Sequence, residues 1–198
     1  MKMREEAGNS DDDLIRAAQK GRQEAFAELV EKYKTRAFGV AVGIVGSRDE
    51  ALDVVQESFV KAYFKLKEFR FGSNFYTWFY RLLVNHSIDR WRKIGRLGEV
   101  PLDETYLTES VVSPNFSEHP ATPEKILMNR ELGEMLSKEI AALSEHHRAV
   151  ILLREVEGMA YEEMAKVLGC SIGTVMSRLH YAREKLKNAL GASLEKLK

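Results

Sequence analysis

An all-α fold, built as two small helical domains joined by an extended acidic, proline-containing linker, is what this sequence predicts, on three observations. Apolar residues recur at three- and four-residue spacing on both sides of a central stretch, and alternating β-rich runs are hard to find. All four prolines, Pro101, Pro114, Pro120 and Pro123, fall inside that stretch. Near the C-terminal end, Ala165, Gly169 and Val175 have the spacing of a helix-turn-helix.

The first half, residues 11–98, reads as a series of helices. Leu14, Ala17 and Ala18 begin one apolar stripe, Phe26, Leu29, Val30 and Tyr33 make another, and Gly21 between them reads as a helix stop. Ser47 with Glu50 three positions on has the spacing of a capping box. The helix it opens carries Leu52, Val55, Phe59, Tyr63 and Leu66 along one stripe expected to be buried. Asp53, Glu57, Lys61 and Phe64 project away from it, a mixed exposed patch suited to a partner, with Gln56 nearer the border.

Residues 75–93, FYTWFYRLLVNHSIDRWRK, place six aromatic side chains beside a cluster of arginine and lysine. Trp78, Leu82 and Ile88 share one helix face, with Phe75, Phe79 and Leu83 close to it. Tyr76, Tyr80, Arg81, Asn85 and Arg92 are left for a second, mixed face. Aromatic rings beside cations are what unpaired bases need, a flat surface to stack on and positive charge to hold phosphates.

Residues 99–123 contain five acidic residues and no basic one. Proline lacks the donor a helix interior needs and like charges resist collapse, so this segment reads as an extended linker. In the second half, residues 124–190, each helix-turn-helix position has a physical task. Ala165 is small enough for close helix crossing, Gly169 permits the turn, Val175 anchors the second helix, and Ser171 caps it. Val175, Leu179, Ala182 and Leu186 form its buried stripe, which turns Gly173, Thr174, Ser177, His180 and Tyr181 outward toward a DNA groove. Arg178, Arg183, Lys185 and Lys187 flank that face as phosphate partners.

At 198 residues, with 44% hydrophobic and 30% charged, the chain falls among globular rather than disordered sequences. Thirty basic residues balance thirty acidic ones, so any contact with nucleic acid must come from local charge asymmetry. The single cysteine, Cys170, excludes an intramolecular disulfide, reads as a small apolar group at the turn, and fits a reducing cytoplasm. The N-terminal stretch has no apolar run after its basic residues, so neither export nor membrane insertion is expected.

Taken in order, DVVQESFVKAYFKL, FYTWFYRLLVNHSIDRWRK and YEEMAKVLGCSIGTVMSRLHYAREKLK make the chain resemble the extracytoplasmic function (ECF) group of sigma-70 family bacterial sigma factors, over residues 11–190. The resemblance implies a non-enzymatic promoter-specificity subunit without cofactor or metal. Its partners would be the RNA polymerase core, through the β′ clamp and the β subunit, promoter DNA and an anti-sigma factor. It implies polymerase binding through Asp53, Gln56 and Glu57, beside which Lys61 lies on the same face. It also implies melting of the −10 element by Tyr76, Trp78, Arg81 and Asn85, with the loop EFRFGSNF completing a pocket for a flipped base. Reading of the −35 element falls to Arg154, Ser171, Gly173, Thr174, Ser177, Arg178 and Tyr181. Met176, His180 and Tyr181 depart from the family's usual residues, and the acidic linker resembles the segment relatives thread toward the RNA exit channel.

Two other classes compete. A stand-alone helix-turn-helix regulator would bind duplex DNA without polymerase, but it has no use for a base-capturing aromatic helix. An enzyme is hinted at only by Glu145, His146, His147 and Cys170, and adjacent histidines on a helix diverge by about 100°, unlike an i, i+4 metal pair.

Overall fold

The computed structural model describes residues 10–72, 74–97, 133 and 135–195. The first half folds as α1 (Asp11–Gln19), α2 (Gln23–Val45), α3 (Arg48–Lys65), a 3₁₀ turn (Leu66–Glu68) and α4 (Phe75–Leu97). Ser10 caps α1 by accepting from the Asp13 amide, and Gly21 then turns the chain at φ +93°, as the sequence predicts. Ser47 caps α3 by accepting from the Glu50 amide at 3.5 Å. The Glu50 side chain pairs with Arg90 at 3.0 Å.

Ile15, Leu29, Phe59, Phe75, Phe79 and Leu83 are buried in the core of this lobe, and Phe59 stacks on Phe79 with ring centroids 4.4 Å apart. The centre of the α4 stripe therefore lies on Phe75, Phe79 and Leu83, with Trp78 and Leu82 half-buried at its edge. The helix also runs on to Leu97, beyond the end expected from sequence. At the far edge, the Tyr33 hydroxyl and the Lys32 ammonium both bond Asp11, fastening α1 to α2.

The second half contains α5 (135–141), α6 (Glu145–Ile151), α7 (Tyr161–Leu168) and α8 (Ile172–Glu195). A π-helical turn, Leu152–Val156, extends α6, and the Glu157 amide donates to the carbonyl of Leu152, five residues back. Such a turn changes the direction in which the following side chains project. Gly169 adopts φ +62° and ends α7, and its N–H donates to Ala165 O. The linker expected at 99–123 lies outside the described residues.

The two halves pack on each other, which the sequence did not predict. Arg148 is 3% exposed and donates to Ile44 O at the end of α2 at 2.6 Å, to Ala141 O at 2.5 Å and to Leu143 O at 3.1 Å. Burial pushes its pKa down to about 10, which still leaves the guanidinium charged at neutral pH. Gly43 lies where a Cβ would come within 2.6 Å of a Leu152 methyl, so its lack of a side chain permits the close approach. Arg148→Met should leave these carbonyls without their donor and lower the unfolding free energy by about 2–4 kcal/mol, read by urea denaturation.

Candidate nucleic-acid and polymerase interfaces

Helix α3 presents Asp53, Gln56, Glu57 and Lys61 to solvent. Leu52 and Tyr63, expected in the buried stripe, are instead 49% and 39% exposed, and Phe64 is 75% exposed. The reason is the packing face: Ala51, Ser58 and Ala62 are small and buried with Val54, Val55 and Phe59 against α2 and α4, so the bulkier side chains are turned outward. The result is an apolar ridge beside charged groups. Glu57 is held in place by His86 Nε2 at 3.0 Å and Arg90 at 3.2 Å.

On α4, Arg81 and Asn85 are exposed. Trp78 is half-buried against Phe69 and Phe75, with centroids 5.3 and 5.7 Å away, so most of its packing is internal. The loop before α4 is anchored from α1. Gln19 Nε2 donates to Leu66 O at 2.9 Å and to Phe69 O at 3.2 Å, and the Arg16 guanidinium lies 4.0 Å above the Phe71 ring. Asn74 Oδ1 accepts from the Tyr76 amide at 3.0 Å and so caps α4. Asn74 was missed by sequence reasoning, although its residue type at a helix start is the usual signal.

Tyr80, expected on the exposed mixed face, is fully buried. Its hydroxyl donates to Glu157 Oε2 at 2.7 Å, and that of Tyr76 to the same oxygen at 2.9 Å. Arg36 approaches the same atom at 3.0 Å, and the Glu157 side chain is 1% exposed. Arg36 also donates to Glu157 O at 3.2 Å. Burial first, then the Glu157 charge, pushes both phenol pKa values far above their ordinary range, so both remain protonated donors. Burial works to lower the Arg36 pKa, but Glu157 and the surrounding phenols outweigh it and raise it.

The helix-turn-helix forms as its spacing predicts. Val175, Leu179, Ala182 and Leu186 are buried, and Ser171 caps α8 by accepting from the Thr174 amide at 3.1 Å. Gly173, Ser177 and Tyr181 are exposed, while Thr174 and Arg178 are half-buried. Arg154 donates to Met159 O at 2.7 Å and lies 5.1 Å from the Tyr161 ring, so here it braces the entry to α7. Arg183 pairs with Glu155 at 2.6 Å, and the Tyr181 ring lies tilted against that of His147, with centroids 4.7 Å apart. Cys170 is half-buried and unbridged. Between α5, the π-turn and α8 lies an apolar groove of about 340 Å³ lined by Leu136, Ile140, Ile151, Val156, Leu186 and Leu190, among others.

His146 lies 3.5 Å from Arg92, which pairs with Glu145 at 3.0 Å. His147 Nδ1 bonds Ser144 Oγ at 2.7 Å. Among the described residues no group of three or more His, Cys, Asp or Glu is placed to hold a metal, and no helix is long and apolar enough to cross a membrane.

The family model for sigma-70 region 2 matches residues 29–97, and that for sigma-70, region 4, matches residues 133–186. The ECF RNA polymerase sigma-E factor of Haemophilus influenzae is 37% identical over 184 residues, covering 91% of this chain and 95% of the relative. This chain belongs to the ECF group of the sigma-70 family. The Escherichia coli K12 sigma-E factor is likewise 37% identical, over 90% of this chain and 93% of its own. Among solved structures, CnrH in complex with the cytosolic domain of CnrY aligns with a TM-score of 0.68 at 26% identity, covering 93% of this chain and 99% of that one. RpoE in complex with the anti-sigma factor NepR from Bartonella quintana aligns at 0.61 and 28%, covering 84% and 96%.

In this sigma factor α3 and α4 fall within the region 2 match, and α6, α7 and the first part of α8 within the region 4 match. His86, His146 and His147 share one electrostatic property, since burial is the largest cause lowering the pKa of each. At His86, Lys61 and Arg90 add to that lowering against the opposing pull of Glu57 and Asp89. Near pH 6 the unfolded chain then binds more protons than the folded one, so stability rises with pH there. The melting temperature should be highest above about pH 7 and fall as pH drops through the ordinary histidine range near 6.5. His86→Asn should flatten part of that slope in melts recorded across this range.

Proposed function

We propose that this sigma factor binds core RNA polymerase and directs promoter-specific initiation, with residues 11–98 docking on the polymerase and opening the −10 element and residues 124–190 reading the −35 element as duplex. Membership of the ECF group is the observation that carries this reading. Polymerase performs the chemistry; this chain supplies recognition and has no catalytic residue. The exposed α3 patch of Asp53, Gln56, Glu57 and Lys61, with Leu52 and Phe64 beside it, combines apolar area with a polar rim and suits the β′ clamp. The apolar groove between α5 and α8 suits an amphipathic helix of the β subunit.

Promoter melting rests on Tyr76, Arg81 and Asn85 of α4, with Trp78 supporting the loop that frames the pocket. Reading of the −35 duplex rests on Gly173, Thr174, Ser177, Arg178 and Tyr181 of the second helix, which Ser171 caps, while Arg154 reaches DNA only by leaving Met159 O. The linker, 99–123, offers five carboxylates to basic channel walls. The solved relative RpoE is bound to the anti-sigma factor NepR, which supports an anti-sigma partner for this chain, acting with it in the cytoplasm.

Transcription with core polymerase on a genomic promoter pool tests the whole reading: selective initiation supports it, and none, where a control sigma factor works, overturns it. Asn85→Ala should cut open-complex formation roughly ten-fold, as loss of a base contact worth about 1–3 kcal/mol implies, with core binding unchanged. Asp53→Lys, at an exposed position of the α3 patch, should do the reverse, weakening association with core in a pull-down while leaving the melting curve of the free chain close to that of the parent.

A further inference from the structure

Two phenol hydroxyls and one guanidinium converge on a single oxygen of Glu157, at 2.7, 2.9 and 3.0 Å. All three donors belong to the N-terminal lobe, and the carboxylate comes from the turn before α7. Tyr76 is also among the residues assigned to the −10 strand, and α7 packs directly against α4. The acidic group thus occupies a ready anion site formed by α2 and α4, the second of which is the helix that handles DNA.

We propose that Arg36, Tyr76 and Tyr80 form a phosphate-binding site for the single-stranded promoter backbone, and that Glu157 fills it in the free chain as an internal substitute for that phosphate. The inference rests on the promoter-binding reading above and adds a site and its regulation to it. Guanidinium and phenol donors take a phosphate oxygen with the same geometry as a carboxylate oxygen. Only one of the two anions fits at a time, so strand capture and lobe closure exclude each other.

The distance between promoter elements supports this exclusion. Elements centred about 10 and 35 base pairs upstream are about 25 pairs apart, roughly 85 Å of duplex at about 3.4 Å per pair. A compact chain of this length has a radius of gyration of about 16 Å and is roughly 40 Å across. With α4 and α7 in contact, the chain cannot reach both elements, so the lobes must part before the promoter is bound. Parting withdraws Glu157 and vacates the three donors, Tyr76 and Tyr80 on α4, which next meets the strand, and Arg36 on the adjacent α2.

The test uses the full chain, free of polymerase, with fluorescent oligothymidylate as the probe and small-angle scattering to follow lobe separation. Glu157→Gln removes the charge that pairs with Arg36. It should enlarge the particle and tighten oligothymidylate binding by roughly ten-fold, because the competent state is no longer held back. In the Glu157→Gln background, Arg36→Ala should reverse the gain and reduce the slope of log affinity against log salt by about one, the mark of a lost phosphate contact. Tyr80→Phe should reverse it in part. A strand with a neutral methylphosphonate backbone should show no gain.

An unchanged affinity and particle size for Glu157→Gln would overturn the proposal. So would a gain that survives Arg36→Ala, or one that the neutral strand shares, because the site would then not be a phosphate site. If Glu157→Gln fails to fold by circular dichroism, Glu157→Asp, which retracts the charge by one methylene, carries the same test with a smaller expected gain. Transcription on the promoter pool remains independent: the oligothymidylate results can stand while selective initiation fails, which would sink the promoter reading alone.

Discussion

A carboxylate cannot be buried without donors, and that constraint organises the interface between the two lobes. Isolated, an ionised group in the interior carries a desolvation cost of several kcal/mol. Glu157 meets it with Tyr76, Tyr80 and Arg36, all supplied by the other half of the chain. Arg148 imposes the same demand with opposite sign, and one of its three carbonyl partners, Ile44 O, also lies across the interface. The π-turn at Leu152–Val156 separates the two charged residues in sequence, and each is oriented into the N-terminal lobe. Close apolar contact, such as Leu152 over Gly43, fills the space between them.

Much of the fold was legible because its determinants are local. Gly21 and Gly169 adopt left-handed φ where the chain must turn, Ser47 and Ser171 cap the helices they precede, and Val175 is an anchor because helical periodicity puts it there. The failures are as physical as the successes. Leu52 and Tyr63 satisfy the apolar period of α3, yet Ala51, Ser58 and Ala62 win the inner face because they permit close helix packing. Periodicity identifies an amphipathic helix, but side-chain volume decides its rotation. Tyr80 was misassigned for a different reason, since its covering partner comes from 77 residues away in sequence.

The candidate site divides along the same line. Residues whose role depends on exposure, such as Asp53, Glu57, Arg81 and Asn85, lie where helix projection puts them. Arg154, assigned to DNA by the resemblance, and Arg183, set beside the DNA face by helix projection, are engaged by Met159 O and Glu155, because neither a motif match nor a one-helix projection contains information about competing intramolecular acceptors. Arg36, Arg148 and Glu157 were not singled out at all. The signal for two of them was present in HHRAVILLREVEG, where charged residues flank an apolar run, a pattern that asks for buried partners.

A polar clasp has different consequences from an apolar seam. Buried ion pairs contribute little net stability relative to well-packed apolar groups, because attraction and desolvation nearly cancel, but they discriminate sharply between matched and mismatched partners. When lobes held this way part, each charge regains water, which offsets much of what is lost, and a second anion can take the vacated donors. An apolar seam of the same size would leave a greasy surface on separation and offer nothing to DNA. The chemistry that closes this interface therefore also makes it exchangeable, and Tyr76 and Tyr80 of the aromatic helix, with Arg36 of α2 beside them, are the groups able to serve both states.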